Sequence, residues 1–318
     1  MQKQPTNPGK PSDAAAMARR ARHPGERILS CVSAFLSIAI LGLLAWNVVY
    51  SIRTPADESA VVEALSTLLE VENDVASMLV KAGGWIILAI FVLIYFRYWL
   101  ALFNEQNRAA SEDLTCGDLA SDEPKEILER YAGILGMKNP PTLYFSDHGE
   151  GVTVHDITAY GKKYMVLSTF LNLEKDTDPR VTDLRFRVAT KLGNIYMGYN
   201  NILFQVMTLP GRWIPGLRAL YIKSLIYSSD RMAMEILDRD PENTITREDV
   251  AKVLLLREFD MYVRPLINVD EALRNREKRF EQMGRLDKAL LRISSDDPPL
   301  MDRIHAITDT SGKHGVLL

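Results

Sequence analysis

The chain has 318 residues, 25% of them charged, and a formal net charge of -3. That length accommodates one sizeable domain plus membrane segments, and the near-neutral balance gives no electrostatic reason to expect a nucleic-acid partner. Two cysteines, Cys31 in an apolar run and Cys116 in a polar stretch, exclude a disulfide framework and fit a reducing compartment for the soluble part.

Residues 1–27 are polar, rich in Pro, Ala and Arg, and lack an apolar period, so they read as a disordered basic tail. A signal peptide does not fit, because the apolar run that follows is too long for an h-region and is not followed by a small-residue cleavage site. That run, Ile28 to Ile52, has no Asp, Glu, Lys or Arg and exceeds the roughly 20 residues needed to cross a bilayer. Trp46 and Tyr50 stand near one end, as interfacial aromatics do. Gly83 to Phe103 is the second candidate span, with Trp85 at its start, Tyr95, Tyr98 and Trp99 near its finish, and Arg97 placed to snorkel. Residues 28–103 are therefore expected to form a transmembrane hairpin.

Lys3, Lys10, Arg19, Arg20, Arg22 and Arg27 precede the first span, whereas the connecting loop carries Asp57, Glu58, Glu63, Glu70, Glu72 and Asp74. The Lys/Arg asymmetry puts the N-terminus inside, the acidic loop outside, and everything after the second span in the cytoplasm. In the loop, Val61, Val62, Leu65, Leu68 and Leu69 suggest a short amphipathic helix at the outer surface.

Residues 104–122 read as a linker and 123–318 as a cytoplasmic domain. Pro124 opens a helix through Met137, stopped by Pro140-Pro141. Thr142 to Ser146, Val152 to Tyr160 and Lys163 to Leu167 read as strands, the last two joined at Gly161-Lys162. The segment Asp183 to Ile195 is a buried helix, since Leu184, Val188, Leu192, Ile195 and Tyr199 recur on one face. A loop with Pro210, Gly211, Pro215 and Gly216 leads to a second long helix, Leu217 to Asp238. A helix opening at Thr246-Arg247-Glu248-Asp249 and a charged helix from Glu271 to Leu291 follow.

The central helix, Leu184-Arg185-Phe186-Arg187-Val188-Ala189-Thr190-Lys191-Leu192-Gly193-Asn194-Ile195, resembles the active-site helix L-R-F-V-L-A-H-E-L-G-H-I of zinc peptidases. Pro141-Thr-Leu-Tyr-Phe145, Met165-Val-Leu-Ser-Thr-Phe-Leu171, the acidic turn Asp176-Thr-Asp-Pro179, the stretch Ile226 to Arg231 and Asp297-Pro-Pro-Leu-Met-Asp-Arg-Ile304 follow with similar spacing. On these motifs the chain resembles the HtpX-like and CAAX-prenyl-protease-like membrane zinc metallopeptidases, over about residues 124–304 plus the two N-terminal spans. The resemblance implies an α+β fold, with two N-terminal transmembrane helices followed by a mainly helical zincin-like domain with a small β-sheet.

The resemblance also locates what is missing. The first zinc-binding His is Thr190, the catalytic Glu is Lys191, the second His is Asn194, and the third ligand, a Glu on the second helix, is Ile226. Asp230 and Arg303 match retained second-layer positions. A catalytic zinc needs three N/O/S ligands, an open position for water and a base, and none of the four replacements offers a comparable group. The expectation is no zinc and no peptide hydrolysis. Lys191 either replaces the lost metal charge and pairs with Asp230 or points to solvent. His23, His148, His155, His305 and His314 have no ligand spacing, and Ser228-Ser229-Asp230 lies on a helix without a nucleophile elbow.

What such a chain could keep is peptide binding by strand addition, which needs no metal. The matching edge would lie in Val152 to Tyr160 or, as the candidate binding residues, Tyr164, Met165, Val166 and Leu167. By analogy with the family, the chain is expected to be an integral membrane pseudopeptidase, in the inner membrane if bacterial. It would contact the lipid bilayer and a protein or peptide partner, such as an active peptidase relative or a membrane protein in membrane quality control. Two alternatives stay open: a zinc endopeptidase with relocated or atypical ligands, and a structural membrane subunit with a filled cleft.

Overall fold

The computed structural model describes residues 11–53, 67, 73–111, 115–116, 122–146, 154–159, 162–168, 179–214, 216–259, 264–308 and 317. The expected loop amphipathic helix, the turn at Gly161, the acidic turn at 176–178, His148 and His314 lie outside them. What they form is mostly helical, with one small sheet.

Helix α1, Pro11–Ala21, corrects the expectation of a wholly disordered tail. Ala14, Met17, Ala18 and Ala21 are spaced i, i+3, i+4 and i+7, and all four are buried. The stripe is made mostly of alanine, which is why the segment reads as polar on average. Helix α2, Pro24–Arg53, starts two residues later and contains the first apolar run. Its stretch Pro24–Trp46, 23 residues, is long and apolar enough to cross a membrane. Helix α3, Asn73–Ser111, carries the second run, whose apolar part Leu88–Asn104 is shorter. This helix also runs on through the first half of the expected linker. After it, Thr115–Cys116 (β1) is a strand rather than linker.

Helix α4 spans Asp122–Ile134, and the sheet adds β2 (Thr142–Ser146), β3 (Val154–Ala159) and β4 (Lys162–Ser168). The strand order is β1-β2-β4-β3, with β2 and β4 parallel and the other two pairs antiparallel. A second correction follows. Tyr164 pairs with Thr142 on one side and Ile157 on the other, and Leu167 with Phe145 and Val154. Residues Tyr164, Met165, Val166 and Leu167 thus sit in an interior strand, and the edge beside them is β3. Strand pairing is decided by tertiary packing, so spacing in the sequence did not reveal it.

The core is built on α5, Pro179–Met197, and α8, Leu217–Leu237. Leu184, Val188, Leu192, Ile195 and Tyr199 are all buried, as the period requires. Phe186 and Ala189 on other faces are buried too, and the face of Arg187, Thr190, Lys191 and Asn194 is half-buried. The two helices approach closely at Gly193: a β-carbon there would stand 2.9 Å from Met232 Cγ. At the N-terminal turn of α5, Asp183 accepts from Arg187 Nε (2.9 Å) and from Arg257 Nε and Nη2 (2.8 and 2.6 Å). Burial pulls the Arg257 guanidinium down to about 10 despite that carboxylate. The pair fixes α5 to the end of α9, Arg247–Leu256.

Between α5 and α8 the expected loop is mostly helical, as α6 (Ile202–Met207) and α7 (Leu209–Trp213). The expected single helix from Glu271 to Leu291 is two, α10 (Val269–Gln282) and α11 (Arg285–Ser294), divided at Gly284. Helix α12, Leu300–Thr308, closes the domain.

Helix α2 also packs against the domain. Ser33 and Ser37 of α2 are buried. The Ser37 hydroxyl donates to the Met207 carbonyl (3.0 Å) and lies 3.2 Å from the Tyr95 hydroxyl of α3. A β-carbon on Gly211 of α7 would come within 2.2 Å of Ser33 Oγ. Small residues let these backbones approach, as they do between helices in membranes.

Candidate functional site

Helix α8 presents two faces. On one, Asp230 is almost fully buried and is gripped by Arg303 of α12, with Nε and Nη2 at 2.5 and 2.8 Å from its two carboxylate oxygens. One turn away, Tyr227 is buried, and burial raises its phenol above the ordinary range. Arg292 and Asp302 form a second two-point pair at 2.7 and 2.8 Å. Lys223 is fully buried on this face, and its Nζ has no hydrogen-bond partner among the described residues. Burial lowers its pKa, against the opposing pull of Asp296 and Asp302.

On the other face, Ile222, Leu225, Ile226 and Ser229 border a cavity of about 530 Å³. Asn194 and Tyr199 come from α5 and its end, Asn200 from the turn that follows, Gln205 from α6, Arg212 and Trp213 from α7, and Tyr98 from α3. Two of the four positions that the sequence marks as degenerate, Asn194 and Ile226, meet here. The Ser229 hydroxyl lies 2.6 Å from Asn194 Oδ1 and donates to it, and Ile226 lines the same wall. Thr190, one turn earlier, satisfies its hydroxyl on the Phe186 carbonyl at 2.7 Å. Lys191 is half-buried beside it. Asp230 and Arg303, marked independently, are brought together as the ion pair, so of the two readings offered for Lys191 the pairing with Asp230 is not needed to match that carboxylate. No protein-family model matches this chain, and neither the curated proteins nor the solved structures include one that does.

What the arrangement can do chemically follows from its donors. Among the described residues, no group of three or more His, Cys, Asp or Glu is placed to hold a metal ion. Ser228 is within 2.6 Å of the buried Glu26 carboxylate, but its hydroxyl also bonds the Ser224 carbonyl and accepts the His23 backbone N–H at 2.8 Å. Neither Ser228 nor Glu26 borders the cavity, so this hydroxyl ties the start of α2 to α8 and is not presented to a substrate. His23 lies near the same junction, its ring stacked on Tyr227 at 5.8 Å. The Tyr199 phenol is raised by burial and by Glu26.

Sequence reasoning missed Arg212, Trp213, Tyr98 and Ser229. The signal that was present is the pair Arg212-Trp213 after Pro210-Gly211, a cation beside an interfacial aromatic.

Proposed function

We propose that the chain is a membrane-anchored pseudopeptidase of the HtpX-like, CAAX-protease-like type, acting as a protein-binding or regulatory module. In this reading α2 and α3 both cross the bilayer, the N-terminus and the domain are cytoplasmic, and zinc is not used. The observation that carries it is the hydrogen bond between Ser229 and Asn194, with Ile226 alongside, at the positions where the resemblance requires ligands. An apolar side chain has no lone pair to offer, and an amide oxygen already engaged by a hydroxyl is a poor substitute for imidazole. The retained Asp230–Arg303 pair fits a scaffold kept for its shape after its metal chemistry was lost. The cavity of about 530 Å³ speaks against the filled-cleft alternative.

The partner, in this reading, is an extended protein segment added along β3, which lies at the sheet edge beside α5. Successive residues of an edge strand point their N–H groups in and out alternately, so one of Ile157→Pro and Thr158→Pro blocks an added strand while sparing the pairing with β4. Protein partners cross-linked in native membranes are expected to disappear with one of the two substitutions. An unchanged set of partners with both would remove strand addition as the binding mode.

A further inference from the structure

We propose that the cavity beside α8 is a binding site for the phosphate of an anionic membrane phospholipid, with Arg212 as its anchor. The inference rests on the reading of α2 as a membrane-spanning helix and specifies what the cavity holds. It is separate from the protein partner assigned to β3.

Three observations carry it. The first is an unused cation. Arg212 Nε is buried without a hydrogen-bond partner, and no ion pair to Arg212 is present among the described residues. Its guanidinium lies 6.0 Å from the Tyr221 ring centre, a contact that orients the group without neutralising it. The second cation at the cavity, Arg218, is bound to Asp296 at 2.9 Å, so Arg212 is the group left to take an anion. A planar guanidinium gives two parallel N–H donors to a phosphate, and Asn200 and Gln205 add amides to the same wall.

The second is depth. Helices α6 and α7 touch α2 at Ser33 and Ser37, five and nine residues after Ile28. At the α-helical rise the Ser33 contact, beside Gly211, lies about 8 Å along the apolar stretch, inside the leaflet that borders the domain, from where the long Arg212 side chain can snorkel to the headgroup phosphates. A phosphate source there is the bilayer itself.

The third is the apolar collar. Leu203, Trp213 and Ile214 are exposed on α6 and α7, with Trp213 edge-on to Tyr98 of α3 at 6.1 Å. On α2 and α3, Phe35, Ile38, Leu93 and Phe96 are exposed as well. A lipid whose headgroup reached Arg212 would lay its acyl chains on this surface. Soluble organophosphates share the phosphate chemistry but have no use for the collar.

The test uses the full-length protein in nanodiscs of phosphatidylcholine containing phosphatidylglycerol, with retained lipid counted by native mass spectrometry. One phosphatidylglycerol should remain per chain. Arg212→Ala should weaken its retention about tenfold or more, the scale of a lost charge-assisted hydrogen bond. Arg212→Lys should retain more than Arg212→Ala, and the charge-matched control Arg285→Ala, on exposed α11, should behave as the wild type. Ile222→Glu, which puts a carboxylate into the cavity wall, should also abolish retention and serves if Arg212→Ala does not fold. Equal retention by wild type and both cavity variants would overturn the proposal. Displacement of the lipid by millimolar inorganic phosphate would overturn the lipid source in favour of a soluble phosphate. A chain that fails to enter nanodiscs would overturn the membrane reading and the proposal with it. Loss of the lipid site alone would leave the missing-ligand argument for an inactive peptidase untouched.

Discussion

The two faces of α8 have been treated oppositely. Toward α12, every strong charge but one is matched: Asp230 by Arg303, Asp302 by Arg292. Toward α5 and α7, the wall holds a hydroxyl–amide bond, aliphatic side chains and an unpaired arginine around open space. The first face is organised for stability, because removing one member of a buried pair leaves an uncompensated charge. The second tolerates change where Asn194, Ile222, Leu225, Ile226 and Ser229 line it, since none of these carries a charge that a partner must match. A helix with one charge-matched face and one cavity face lined mostly by uncharged groups fits the proposed reading of a scaffold without metal chemistry.

Breaking the structural face should have the largest effect. Arg303→Ala strands the Asp230 carboxylate and is expected to destabilise the protein by about 3–5 kcal/mol, measured as a loss of thermal stability in detergent. Replacing the pair jointly, as Asp230→Leu with Arg303→Met, should cost clearly less than Arg303→Ala alone, because no charge is then left buried.

The N-terminal helix sharpens the comparison from outside. Met17 is fully buried in the core that contains Met232 and Ala233 of α8. Met17→Ala should cost about 2–3 kcal/mol, the lower part of the range for such truncations, since a short terminal helix can resettle. A loss near zero would mean that α1 is not docked.

The smallest effect, and the only one of opposite sign, belongs to Lys223. Its folded-state pKa is lowered by burial below the ordinary lysine value of 10.5, so the unfolded chain binds the proton more tightly. Stability from this group should rise as pH climbs from the depressed pKa toward 10.5. Lys223→Met should add about 1–2 kcal/mol at neutral pH, where the ammonium must be buried or discharged on folding, and should flatten that alkaline rise.

How much of this could be read beforehand depends on where the information lies. The buried face of α5 is periodic in strong hydrophobes, and its residues were named correctly. Helix α8 was placed only by its bounds, because its buried face mixes Lys223, Ser224, Ser228 and Asp230 with apolar residues. Asp230 and Arg303 were named without their pairing. Helix α1 was missed because three of its four buried positions are alanine, too weakly apolar to stand out among arginines. The interior place of β4 was missed because its neighbours β2 and β3 flank it only after the chain folds back. The break at Gly284 was read through as helix, although glycine is the poorest helix former after proline. The cavity gathers side chains from α3, α5, α6, α7 and α8, whose convergence no local pattern encodes.

The account stands most directly on the fate of the metal. The decisive measurement is the metal content of the purified full-length protein by atomic spectrometry, alongside casein hydrolysis with and without added zinc. The account predicts no stoichiometric zinc and no chelator-sensitive cleavage. Zinc at one equivalent with chelator-sensitive cleavage would contradict it, and would mean that ligands other than Thr190, Asn194 and Ile226 do the work.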